Sequence, residues 1–131
     1  MKANVTITMG SDGYYSCSME ESFPDFALFG YGETAQQAKE DLLESYSEIS
    51  QMLREEGKEV PELEFEWHYD IQAFFNYFDF LNISKVAEAA GINQSLMRKY
   101  AAGIVSPGEG QYKKLYGAIR KMAGELSAAA I

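Results

Sequence analysis

A chain of 131 residues that is 47% hydrophobic and 14% aromatic can bury one core or two small ones, which excludes a disordered polypeptide. No apolar run approaches the ~20 residues of a membrane helix. The opening KANVT is not a secretory signal, and the single Cys17 excludes an internal disulfide framework or a cysteine-cluster zinc site, so a cytoplasmic protein is expected. The net charge of −9 is unevenly spread: residues 1–70 carry four Lys/Arg against sixteen Asp/Glu, net −12, and residues 71–131 carry seven against four, net +3. An acidic front joined to a mildly basic back suggests two modules with different partners.

Val5 to Met9 alternates apolar and polar residues, the period of a strand buried on one face. Gly10-Ser11-Asp12-Gly13 is hairpin chemistry, and a second strand is expected from Tyr14 to about Glu20 with Tyr15, Cys17 and Met19 inward. Pro24 interrupts pairing because it donates no ladder hydrogen bond, and Ala27 to Tyr31 reads as a third strand closing an antiparallel meander. Thr34 and Gln37 stand at capping-box spacing and open a long helix that Gly57 ends. Its apolar stripe is Ala35, Ala38, Leu42, Ile49 and Leu53, flanked by Tyr46 and Met52. Glu40, Glu44 and Glu48 form a row one turn apart on the opposite face, either a solvated surface or a docking surface for a basic partner. Leu63 to Tyr69 alternates strictly, a fourth strand with Leu63, Phe65, Trp67 and Tyr69 inward and His68 outward beside Glu64 and Glu66.

Three short motifs in this front half, Gly13-Tyr14-Tyr15, Phe23-Pro24-Asp25 and Gly32-Glu33-Thr34 with Ala38 inside the helix, resemble those of HicB-type antitoxins. The resemblance covers residues 4 to about 69. It implies a strand-strand-strand-helix-strand domain with a catalytically inert, partial RNase H-like fold, often followed by a DNA-binding module. Phe26-Ala27-Leu28 stands where that family usually has a Leu-Pro-Gly turn, and Glu20-Glu21 makes the preceding strand unusually charged.

The back half opens with Ile71, Phe74, Phe75 and Phe78, read as one face of a helix that braces the next two helices. Asn82 can cap the first of these. Val86, Ala87 and Ala90 fall at helical spacing before Gly91, and Met97 and Tyr100 line one face of a second short helix. Its other face carries Gln94, Ser95, Arg98 and Lys99, so Ile83 to Tyr100 reads as two helices joined by a tight turn. A loop with Ser106-Pro107-Gly108 leads to a last helix from Gln111 to Leu126, with Tyr112, Leu115, Ile119 and Met122 inward and a fraying end from Ser127. This segment resembles the helix-turn-helix of Cro/repressor-type proteins, in which the second helix enters the major groove.

The expected fold class is α+β, with a HicB-like domain over residues 1–69 and an all-α helix-turn-helix domain over residues 70–131. Gln94 suits adenine, Arg98 suits guanine or phosphate, and Asn93 and Ser95 lie near base edges or backbone at the helix start. Lys99, Lys85, Lys113 and Lys114 are candidate phosphate contacts. No nucleophile–base pair or phosphate-cradling loop can be named, and Glu64 with Glu66 is short of a metal's ligand set, so neither enzyme activity, metal nor cofactor is expected. One such unit makes few contacts, so operator DNA calls for a homodimer or higher homo-oligomer.

The resemblance implies an antitoxin that masks a small basic HicA-like mRNA-cleaving toxin and represses its own operon, and the row Glu40, Glu44, Glu48 is the candidate toxin surface. The alternatives are an orphan dimeric transcriptional regulator whose front domain dimerises or senses a ligand, and an interaction protein whose helix-turn-helix has lost DNA binding.

Overall fold

The computed structural model describes residues 1–131 and divides into two compact units, Met1–Tyr77 and Phe78–Ile131. The first contains β1 (Lys2–Met9), β2 (Tyr15–Met19), β3 (Phe29–Gly32), α1 (Ala35–Glu55), β4 (Glu64–Tyr69) and α2 (Ile71–Tyr77). The second contains α3 (Ile83–Ala90), α4 (Gln94–Ala101) and α5 (Glu109–Ala128). The class is α+β, and no helix is long and apolar enough to cross a membrane.

In the first unit the alternation of β1 puts Ala3, Val5 and Ile7 wholly out of solvent. The turn after it is closed by Gly13 N–H donating to Gly10 O at 3.0 Å, and the Asp12 carboxylate accepts the Tyr14 N–H at 3.0 Å. β2 returns antiparallel with Ile7 opposite Cys17, and β3 pairs antiparallel with β2, Cys17 opposite Gly30. The chain then crosses through α1, and β4 lies parallel to β1 with Val5 opposite Trp67, giving the order β3-β2-β1-β4. Which strand β4 would join is not encoded in its own alternation.

The α1 helix starts where the sequence places it. Thr34 Oγ1 accepts the Gln37 N–H at 3.1 Å, and Gln37 Oε1 reaches back to the Glu33 N–H at 3.0 Å. Ala35, Ala38, Leu42 and Leu53 are buried, and Glu40, Glu44 and Glu48 are exposed. The helix lies so close to β3 that a Cβ on Gly30 would stand 2.1 Å from Ala38 O and 2.8 Å from Leu42 N. Only glycine fits there.

Several elements differ from the sequence expectation. The third strand runs from Phe29 to Gly32, not from Ala27 to Tyr31, and Leu28 just before it is buried at 1% exposure while its carbonyl still accepts the Met19 N–H at 3.2 Å. The inward residues of β4 are half-buried, because an edge strand has cover on one flank only. The aromatic helix expected to brace the helix-turn-helix is α2, which ends at Tyr77 and packs on the first unit: Ala73 joins the sheet's core, and Tyr77 meets Tyr15 edge-on at 6.0 Å. Its most buried residues are Ala73 and Phe75, not Ile71, Phe74 and Phe78. The two compact units divide after Tyr77.

In the second unit α3 is the hub, packing on both α4 and α5. Val86, Ala87, Ala90, Ile92, Met97 and Tyr100 are buried together with Leu115 and Ala118. Tyr112, expected inward, is 49% exposed and stacks on Tyr116 at 6.4 Å. One turn later, Leu115 and Ala118 carry the contact instead, which rotates the buried stripe of α5 away from Tyr112. The last helix also starts at Glu109 and runs to Ala128, so Ser127 is helical and not frayed.

Candidate nucleic-acid interface

The turn between α3 and α4 is built from local hydrogen bonds. Asn82 Oδ1 accepts the Lys85 N–H at 3.1 Å and starts α3. Gly91 adopts the left-handed conformation, φ +68°, which lets Ile92 N–H reach Ala87 O at 2.9 Å and Gly91 N–H reach Glu88 O at 3.3 Å. Ile92 is thereby tucked into the core at 5% exposure. Asn93 Oδ1 then accepts from Ser95 N–H at 2.9 Å and Leu96 N–H at 3.2 Å, starting α4. The turn is specified at both ends.

Met97 and Tyr100 anchor α4, at 0% and 4% exposure. That orientation leaves Gln94, Ser95, Arg98 and Lys99 exposed along its opposite face. These are the residue types that read base edges and hold phosphates, gathered on one helix side. The first-turn positions Gln94 and Ser95 sit at the amino end, where the helix dipole also favours an anion. Asn93 is exposed, but its side-chain oxygen is committed to capping, which leaves only its amide nitrogen free to contact nucleic acid.

Arg98 has a neighbour that its own stretch of sequence does not announce. Its Nη2 donates to Ser84 Oγ at 3.4 Å, tying the guanidinium back to α3. A serine in the first turn of a helix gives little signal by itself, and only the packing of α3 on α4 reveals the contact.

The four lysines are exposed but differ in company. Lys99 lies on the α4 row. Lys85 pairs with Glu88 at 3.7 Å, and Lys113 with Glu109 at 3.3 Å. Both pairs are solvent-exposed and weak enough for a phosphate to displace the carboxylate. Lys113 and Lys114 belong to α5, which packs on α3. They form a second basic strip, continued by Arg120 over the Tyr116 ring at 5.1 Å.

The first unit carries the opposite charge. No cation of the chain pairs with Glu40, Glu44 or Glu48, and Gln36 Nε2 reaches Glu40 at 3.2 Å. A second acidic area covers the sheet's outer face. There Glu21 takes the Asn4 N–H at 2.9 and 3.0 Å, and those backbone bonds hold its carboxyl below the usual range. Lys2 pairs with Glu66 at 2.9 Å, which raises the lysine's pKa, and His68 Nε2 meets Asn4 Oδ1 at 3.1 Å.

Glu64 and Glu66 do share this face, and no three His, Cys, Asp or Glu side chains converge into a group able to hold a metal ion. Cys17 is 1% exposed, its Sγ donates to Ala38 O at 3.2 Å, and burial pushes its pKa up to about 11. A thiol so placed is a core residue and not a nucleophile at neutral pH. Comparison with protein-family models, with curated proteins and with solved structures finds no match for this chain.

Proposed function

We propose that the second unit binds double-stranded DNA through α4, and that the chain is a HicB-like antitoxin and autorepressor whose acidic first unit masks a small basic mRNA-cleaving toxin. The observation that carries the DNA reading is the face of α4: Gln94, Ser95, Arg98 and Lys99 stand exposed together behind a turn capped at both ends. An ordinary two-helix packing unit has no need of that combination. The split of −12 and +3 between the units, unchanged by the division at Tyr77, supports two partners of opposite charge. The antitoxin reading is supported by the three motifs and by the order β1-β2-β3-α1-β4, the order of elements that the resemblance implies.

The test is a gel shift of the full chain on duplex from immediately upstream of its own reading frame, across a salt series. Binding that weakens steeply with salt is expected; no shift at low salt contradicts the DNA reading. The toxin part is tested separately, by co-expression with the neighbouring reading frame. Co-purification of a short basic protein whose ribonuclease activity is lost in the complex supports it. The absence of any such partner leaves the orphan-regulator reading, in which the first unit serves assembly.

A further inference from the structure

Ala38, Leu42 and Ala73 of the two first-unit helices pack on Val5, Ile7 and Cys17, so both helices cover one face of the sheet. Strand residues of the opposite parity form the other face, which no element of the first unit covers. There the register sets Tyr31 opposite Ser16 and Phe29 opposite Ser18, with Thr8 and Thr6 next on β1. Small hydroxyl residues cannot cover large rings beside them, and Phe29 is 65% exposed and Tyr31 53%. An open groove of about 410 Å³ results, lined by Ser16, Ser18, Phe29, Tyr31 and, from α1, Asp41.

Carboxylates surround the rings. Asp41 Oδ2 accepts the Tyr31 N–H at 2.9 Å, at the backbone end of that residue, and Asp12 Oδ2 accepts its hydroxyl at 3.3 Å, at the far end. Glu33 takes the Tyr14 hydroxyl at 3.2 Å, and Tyr14 stacks on Tyr31 at 5.2 Å with the planes 13° apart. None of these three acids pairs with a lysine or arginine of the chain. Same-face neighbours on a strand are roughly 7 Å apart, about twice the ~3.5 Å contact distance of carbon atoms, so the spacing of Phe29 and Tyr31 suits a flat group between them.

We infer that this groove binds arginine side chains of a basic partner protein, with a guanidinium stacked beside Phe29 and Tyr31 and donating to Asp41 or Asp12. Charge complementarity selects the occupant. Single-stranded nucleic acid also stacks on exposed rings, but it would bring phosphates against Asp12, Glu33 and Asp41. An apolar partner would strip water from those carboxylates without neutralising them. A guanidinium is flat, weakly hydrated and stacks on aromatic faces, and its forked donors match a carboxylate as an ammonium's do not. The row Glu40, Glu44 and Glu48 offers charge without rings, so the basic partner moves from the helix to the sheet. The partner's identity rests on the reading of the first unit as the binder of a basic protein; the groove itself is tested without that partner.

The probe is a capped Gly-Arg-Gly-Arg-Gly peptide, titrated into the full chain at low salt and followed by backbone amide NMR shifts. The amides of Ser16, Ser18, Phe29 and Tyr31 should move, and the lysine counterpart should bind several-fold more weakly. Asp41→Asn keeps an acceptor for the Tyr31 N–H and removes the charge. It and Phe29→Ala should each weaken the arginine peptide by about 5-fold or more, whereas Glu44→Gln should not. Shifts centred on Glu40, Glu44 and Glu48, an equal response to lysine, or an equal loss in Glu44→Gln would overturn the assignment. So would movement of the groove amides by a single-stranded oligonucleotide. Failure to find a basic protein partner contradicts the antitoxin reading alone, and failure of the groove amides to respond to the peptide contradicts the groove alone.

Discussion

The two units are held together in different ways. In Met1–Tyr77 the decisive contacts are close backbone approaches: β4 paired on β1, and α1 against β3 at Gly30. In Phe78–Ile131 they are side-chain caps at Asn82 and Asn93, a left-handed glycine between them, and the side chains with which α3 packs on α4 and α5. The difference teaches why the units tolerate change differently. A unit built on one close backbone approach fails at that approach, whereas a unit built from caps and a small core loses stability in increments.

The sharpest way to break the first unit is Gly30→Ala. The new methyl must displace the α1 backbone, so a loss above about 3 kcal/mol is expected. Urea unfolding followed by the fluorescence of Trp67, the only tryptophan and a first-unit residue, measures it. The matching lesion in the second unit is Met97→Ala, which empties a fully buried site between α4 and its neighbours. It should cost about 3 kcal/mol and abolish DNA binding, leaving the Trp67 transition in place.

Next in size is a pH effect confined to the first unit. The native Cys17 keeps its proton up to about pH 11, whereas the unfolded thiol loses it near the ordinary value of 9.0. The stabilisation is therefore complete below pH 9 and is lost as the pH rises to 11, a loss of roughly 2–3 kcal/mol. Wild type and Cys17→Ala, compared over that range by urea midpoint, should diverge by that amount. Parallel curves would contradict the burial of the thiol. Smallest is Thr34→Ala, which removes the α1 cap and should cost about 1 kcal/mol in the same unfolding measurement.

Local signals in the sequence carried far. Thr34, Gly57, Asn82, Gly91 and the alternation of β1 and β4 mark element ends and buried faces, because caps, left-handed turns and strand period act within a few residues. The face of α4 was legible for the same reason, since Met97 and Tyr100 fix which side is buried. What was not legible depends on partners far along the chain. Nothing in Ile71 to Tyr77 announces that this helix joins the sheet's core through Ala73, and nothing around Asp41 announces that it caps Tyr31. Tyr112 reads as inward in the sequence but is exposed, because α5 offers apolar residues on more than one side and the packing of α3 chooses between them.

The central claim is that α4 reads DNA, and fluorescence anisotropy of a labelled duplex from upstream of the chain's own reading frame tests it most directly. The full chain should bind that duplex more tightly than a scrambled one. Gln94→Ala and Arg98→Ala should each weaken binding by about 10-fold or more, without changing the unfolding midpoint, and Glu44→Ala should leave affinity intact. Variants at Gln94 and Arg98 that bind as tightly as the wild type would contradict the account.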